Sequence, residues 1–217
     1  MGKLIVLEGT DGSGKSTQFG LLTQGLEAEG MAFRKLVFPQ YALIRMYLNG
    51  EFGQHPGDVN AYAATAFYAV DRYASFQKVW RREYEAGGLI LSDRYTTSNA
   101  VHQGSKLTGA EQRAYFQWLE EFEYGRLGLP RPDLVIYLDV PTDLTEMMLR
   151  KREQDTHTQG DIHEQDLAYL RLCRETGQAA ADFFGWQVIS CARDGAMRPA
   201  QEIHQEIDRL VRICLEE

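Results

Sequence analysis

Gly9-Thr10-Asp11-Gly12-Ser13-Gly14-Lys15-Ser16-Thr17 stands between the first apolar run of the chain, Lys3–Glu8, and its first helical periodicity. A glycine, four variable residues and then Gly-Lys-Ser, placed between a strand and a helix, is the spacing of a phosphate-binding loop. The glycines let the backbone turn its N–H groups inward, forming a nest for phosphate oxygens. A helix starting at Lys15 adds the positive end of its dipole. Lys15 supplies a mobile cation for β- and γ-phosphates, and the Ser16 hydroxyl completes a magnesium shell. Gly9–Thr17 is therefore expected to hold a nucleoside triphosphate with Mg2+. The Asn-Lys-x-Asp signature that guanine-specific enzymes carry downstream of such a loop is absent.

The loop alone does not settle where the phosphoryl group goes. Three apolar runs end in acidic residues, Glu8, Asp93 and Asp139, each a candidate to face a crevice at strand ends. Arg150-Lys151-Arg152 opens a polar stretch, Glu153–Gly160, expected to be a mobile connection that closes over the triphosphate. His55, His157, His163 and His204 show no metal-ligand spacing and read as surface residues. Cys173, Cys191 and Cys214 are odd in number and form no Cys-x-x-Cys, so neither a disulfide framework nor a zinc site is expected.

These residues need a scaffold, and its pattern is strand, helix, strand, helix. Lys3–Glu8, Phe33–Phe38, Leu89–Asp93, Leu134–Asp139 and Trp186–Ser190 read as five strands. Lys15–Glu29 reads as a helix with Phe19, Leu22 and Leu26 on one face, closed by Gly30. Roughly Val59–Glu85 reads as a long helix ending at Gly87-Gly88, and a last amphipathic helix carries Ile203, Ile207, Leu210, Val211 and Cys214. Apolar strands alternating with helices imply an α/β fold, a five-stranded parallel sheet with helices on both faces. With 217 residues, 44% hydrophobic and 25% charged, the chain has material for one packed domain, 1–217. Net charge is −8 with no run of five basic residues, a poor match to polymeric nucleic acid. The N-terminus carries no secretory pattern, and no apolar run reaches membrane-spanning length; a cytoplasmic setting is expected.

Glu8–Thr17 (EGTDGSGKST), Phe38-Pro39, Tyr68–Arg72, Asp93–Asn99 (DRYTTSN) and Asp161–Glu164 stand in the order and approximate spacing of the thymidylate kinases. The chain resembles that family over nearly its whole length; the phosphate loop is generic, and Asp-Arg-Tyr…Ser-Asn is the specific part. The resemblance implies the P-loop nucleoside-monophosphate-kinase fold, transfer of the γ-phosphoryl group of ATP to dTMP, Mg2+ as cofactor and a homodimer. It implies that Arg94 clamps the acceptor phosphate bidentately, with Ser98 beside it, and that Asp93 lies near the metal. Tyr68 stacks on thymine while Arg72, one helical turn on, bonds a base carbonyl. Asn99 meets the N3–H and carbonyl edge, and Asp11 accepts from the deoxyribose 3′-OH. His102 stands where relatives often have a Tyr near C2′. Phe38 starts a loop under the acceptor, and Gln40 occupies the place of an Arg in many relatives, which leaves Arg45 to reach the phosphate. In the family a charge-stabilising Arg comes from the phosphate loop or from the lid; this loop has none, so Arg150 and Arg152, in a lid of about residues 150–164, take that role. Asp161 and Glu164 match an acidic lid pattern in which Ile162 replaces an Arg. A deoxynucleoside kinase, another deoxynucleoside monophosphate kinase and a nucleotide-binding regulatory protein are the alternatives.

Overall fold

Alternation along the first strand sets the architecture. In β1 (Lys3–Gly9), Leu4 and Val6 point to one face and Ile5 and Leu7 to the other, and all four are buried. A strand apolar on both faces needs cover on both sides. The computed structural model of the chain describes residues 1–38, 42–156 and 167–216, with the backbone alone at 42, 56 and 151–156. Four further strands, β2 (Phe33–Val37), β3 (Leu89–Asp93), β4 (Leu134–Asp139) and β5 (Gln187–Ser190), join β1 in an all-parallel sheet of order β2-β3-β1-β4-β5. This is the expected five-stranded sheet, with strand ends displaced by one residue at 38 and 186.

The helices are α1 (Lys15–Ala28), α2 (Ala42–Leu48), α3 (Ala61–Ser75), α4 (Arg81–Glu85), α5 (Thr97–His102), α6 (Gly109–Glu120), α7 (Thr142–Thr156), α8 (Leu167–Phe184) and α9 (Ala200–Glu216). On one face α1 and α9 bring Phe19, Leu22 and Leu26 together with Ile203, Ile207, Val211 and Cys214 over Ile5, Leu7 and Leu91. On the other face Phe76, Trp80 and Tyr84 cover Leu4, Val6 and Ile90. The long helix expected over 59–85 is interrupted, because Phe76–Trp80 form a π-helical turn between α3 and α4. Helix α1 closes as its sequence predicts: Gly30 takes φ 72°, its N–H donates to Glu27 O at 3.0 Å, and Met31 N donates to Leu26 O at 3.0 Å. A short hairpin, β6 (Ala192–Arg193) with β7 (Ala196–Met197), turns through Asp194 and Gly195, both at positive φ.

The connections leaving the adjacent strands β1 and β3 run to opposite sides of the sheet, which opens a crevice at their carboxyl ends. Both the phosphate loop and Arg94 emerge there.

Helix α8 is seated on β4 through Gly177, where an added Cβ would lie 2.1 Å from the Tyr137 hydroxyl oxygen, and Tyr137 is fully buried. Overpacking of this kind costs ~1–3 kcal/mol, whereas glycine-to-alanine in an open helical position gains up to ~1 kcal/mol. Gly177→Ala should therefore lower the thermal midpoint by several degrees, while Gly20→Ala on α1, where nothing lies within 4 Å, should leave it unchanged or raise it. Circular-dichroism melts of the two variants separate these outcomes.

Candidate active site

The phosphate loop is held by its own chemistry. Gly12 and Gly14 take φ 78° and 83°, and a Cβ on Gly12 would come 2.8 Å from Thr145 O, so side chains are excluded where α7 crosses. Lys15 is buried, and its Nζ donates to Gly9 O at 2.7 Å and Thr10 O at 3.1 Å. Burial, and next the neighbouring Arg94 guanidinium, hold its pKa below the ordinary lysine value. Asp11–Thr17, Phe38, Asp93 and Arg94 line one cleft of about 380 Å³, with Met148 and Leu149 of α7 on its far side.

Arg94 sits one residue past β3 with φ 67°, a left-handed conformation uncommon for a branched side chain. Two bonds fix it: Arg94 N donates to Leu7 O at 3.1 Å, and Ser92 Oγ donates to Arg94 O at 2.6 Å. The guanidinium pairs with Asp11, lies 3.5 Å from Glu8 Oε1 and donates to Ser98 Oγ at 3.2 Å. Burial opposes its charge, but Asp11, Glu8 and Asp93 outweigh burial and raise its pKa. Glu8 lies beneath the crevice, fully buried, accepting from Thr97 Oγ and Ser98 Oγ at 2.7 Å each and from Gly9 N at 2.9 Å.

Arg94 Nη1 also lies 2.9 Å from His102 Nε2. Arginine has no acceptor, so His102 accepts there and carries its proton on Nδ1. Nδ1 lies 3.5 Å from Cys173 Sγ, whose S–H faces Ser105 Oγ at 3.6 Å, and Ser105 Oγ donates back to His102 O at 2.8 Å. Burial pushes the Cys173 thiol up to about 12, so it stays protonated.

A second buried cluster lies on the same side of the sheet. Arg72 of α3 donates through Nε to Glu123 Oε2 at 2.7 Å, pairs through Nη2 with Glu123 Oε1, and donates through Nη1 to Tyr95 O at 3.3 Å. Asn99 Nδ2 donates to the same Glu123 Oε1 at 3.1 Å. Tyr68, half-buried one turn before Arg72, meets Tyr47 edge-on at 6.1 Å, and its phenol is close enough to Arg94 to act on the guanidinium's charge. Phe38 N donates to Asp93 O at 3.3 Å, which fixes Phe38 at the tip of β3.

Several expectations need correction. Arg150 and Arg152 do not open a connection, because α7 starts at Thr142 and runs through both. Arg150 is 71% exposed and pairs with Glu146; the side chain of Arg152, and Gln40, Asp161, Ile162 and Glu164, lie outside the described residues. Asp139 turns away from the crevice to Arg174 Nε at 2.7 Å and Gln178 Nε2 at 3.1 Å. Arg45 is exposed. His204 is half-buried on α9 rather than at the surface. Glu123 carries no sequence signal: one of three glutamates in Glu120-Glu121-Phe122-Glu123, it reads as part of a solvated acidic run, and only its partners, 51 and 24 residues away, mark it.

Asp93 Oδ1 is buried with no hydrogen-bond partner among the described residues, and it shares the cleft with Ser16. Hard oxygen donors of this kind, one or two from protein and the rest from phosphate and water, suit Mg2+. No group of three or more His, Cys, Asp or Glu side chains that could hold a metal ion occurs among the described residues.

A parallel sheet in this order, a phosphate loop after its central strand and a half-buried arginine facing that loop from the neighbouring strand define a P-loop kinase of nucleoside monophosphates. The family model for thymidylate kinase matches residues 7–207, and the chain belongs to that family. It is 31% identical to a thymidylate kinase of Mycobacterium tuberculosis, over 84% of this chain and 87% of the relative. It is 31% identical to a probable thymidylate kinase of Thermococcus kodakarensis over 98% of each, and 31% identical to a thymidylate kinase of Homo sapiens over 64% of this chain and 61% of the relative. Among the described residues no helix is long and apolar enough to cross a membrane.

All three cysteines are free and buried. An aromatic disulfide reagent at pH 8 should leave them unmodified in the native protein and titrate all three thiols in denaturant; rapid native labelling of one thiol would show that the packing around it opens.

Proposed function

We propose that this protein transfers the γ-phosphoryl group of ATP to dTMP, giving ADP and dTDP, with Mg2+ as cofactor. The observation that carries the reading is the pairing of Asp11 with Arg94 across the tips of β1 and β3, inside the cleft that the phosphate loop lines. In the free protein each group the two nucleotides need is held by another: Lys15, for the donor, by Gly9 O and Thr10 O, and Arg94, for the acceptor, by Asp11. ATP draws the Lys15 ammonium onto its β- and γ-phosphates while loop N–H groups hold their oxygens. The dTMP phosphate replaces Asp11 on Arg94, and Asp11 is then free to accept from the 3′-OH. His102 and Ser98 keep the guanidinium in place during the exchange. Ser16 and Asp93 would hold Mg2+, which would supply neutralising charge to the phosphate oxygens. No general base is required, because the acceptor phosphate is already an anionic nucleophile at neutral pH.

Arg150 and Arg152, on the turns of α7 that follow Met148 and Leu149, are the lid cations that reach the transferring group when residues of about 150–164 close over ATP. One kinase domain spans residues 1–217. The homodimer is supported by Tyr62, Val70 and Tyr73, which form an exposed stripe along one face of α3. Three free thiols fit a reducing, cytoplasmic setting. A nucleoside acceptor would need a carboxylate base; Glu8 already accepts three hydrogen bonds and faces Arg94, which favours the monophosphate.

An acceptor panel tests this directly. With ATP and Mg2+, kcat/KM for dTMP should exceed that for dCMP, dGMP and thymidine by at least about tenfold; equal rates across the panel would refute the assignment. Lys15→Ala should lower kcat by roughly 10²–10³ with the melting curve retained. Tyr68→Ala should raise KM for dTMP about tenfold while KM for ATP stays put, and a matched rise in both would indicate damaged packing instead.

A further inference from the structure

Resting on the dTMP-kinase reading, we propose that Glu123 is the positioning residue that sets base specificity, by fixing which end of the Asn99 amide the acceptor base meets. Glu123, on the π-helical turn Glu121–Arg126, is fully buried, and Arg72 and Asn99 are each 1% exposed. A carboxylate only accepts hydrogen bonds. Its Oε1 takes Asn99 Nδ2 at 3.1 Å together with Arg72 Nη2, and its Oε2 takes Arg72 Nε at 2.7 Å. The Asn99 amide therefore cannot turn over, since that would set its carbonyl oxygen against the carboxylate in a buried site. With Nδ2 engaged by Glu123, what the side chain offers a ligand is its acceptor, Oδ1. Arg72, with three donations accounted for, keeps N–H groups that only donate.

An acceptor next to a donor is half of a readable edge. The thymine ring presents N3–H, a donor, flanked by carbonyl oxygens, which matches Asn99 Oδ1 and an Arg72 N–H. Cytosine presents a lone pair at N3 and an amino group at C4, so it sets lone pair against lone pair and donor against donor. Discrimination then comes from repulsion of the wrong base as much as from attraction of the right one. The main chain supports the same orientation: Asn99 O accepts from Tyr115 Oη at 3.2 Å, and Tyr115 Oη lies 2.7 Å from Thr65 Oγ of α3.

Glu123→Gln tests the proposal. A neutral amide has one acceptor and one donor end, so whichever way it sits it places an N–H2 against Arg72 or against Asn99. The ratio of kcat/KM for dTMP over dCMP should fall at least about tenfold, through KM for dTMP, while KM for ATP and kcat at saturating dTMP change by less than about twofold. In an Asn99→Ala background the same substitution should move the ratio by less than about threefold. A ratio retained in Glu123→Gln, or additive effects in the double variant, would overturn the role of Glu123 and leave the kinase reading intact. A wild-type enzyme with no preference for dTMP over dCMP would overturn both. Should Glu123→Gln not fold, 15N NMR of the wild type decides: the Asn99 side-chain amide, assigned by its loss in Asn99→Ala, should exchange slowly with solvent and keep its proton shifts on addition of dTMP. A large shift, reporting an amide that turns its N–H2 to the base, would overturn the proposal.

Discussion

A half-buried cation at the junction of two strand tips organises this molecule. Arg94 can sit 3.5 Å from a fully buried Glu8 only because the two strands that deliver them are hydrogen-bonded neighbours, Leu7 opposite Asp93. Neither charge is tolerable alone at that depth. Glu8 is satisfied by Thr97, Ser98 and the backbone of Gly9, and Arg94 by Asp11, Ser98 and His102. The left-handed backbone at Arg94 is local strain held by the bonds on either side of it. That arrangement joins the phosphate loop to the tip of β3 across one cleft, so two cations, Lys15 and Arg94, are placed together there before any ligand arrives.

One short helix links this ion pair to the second. Within the six residues of α5, Thr97 and Ser98 bond Glu8, Asn99 bonds Glu123, and His102 bonds Arg94. The residues proposed to hold the acceptor phosphate and to meet its base thus bond to one helix, packed against α8 and β1. Among the described residues of this region Ser13 Oγ, Asp93 Oδ1 and Gln103 Oε1 are buried without a partner, and two of them, Ser13 and Asp93, line the cleft. Behind α5, the contacts from His102 through Cys173 to Ser105 hold the imidazole in the tautomer that accepts from Arg94.

Much of the scaffold was legible along the chain, because its signals are local. A strand apolar on both faces, a glycine that must turn left-handed after α1 and a loop of fixed spacing each carry their meaning within a few residues. The Asp194-Gly195 hairpin has a local signal too, in a dipeptide suited to such turns. Helices α6 and α8 have a weaker one. Tyr115, Phe116 and Leu119 bury against Ala180 and its neighbours, but charged and small residues between them blunt the periodicity. The π-helical turns at Phe76–Trp80 and Glu121–Arg126 each insert a residue into an otherwise regular helix, which no composition announces.

For the site, the sequence by itself determined the phosphate loop, the residue types at the end of β3 and the pairing of Tyr68 with Arg72 on one helical face, since each depends on neighbours in the chain. The tertiary structure alone decided who holds whom: Arg94 with Asp11 across 83 residues, Arg72 with Glu123 across 51, Asp139 with Arg174 rather than the crevice. A side chain's type states which bonds it can make. Burial states which it must make, and burial is settled only when distant segments pack.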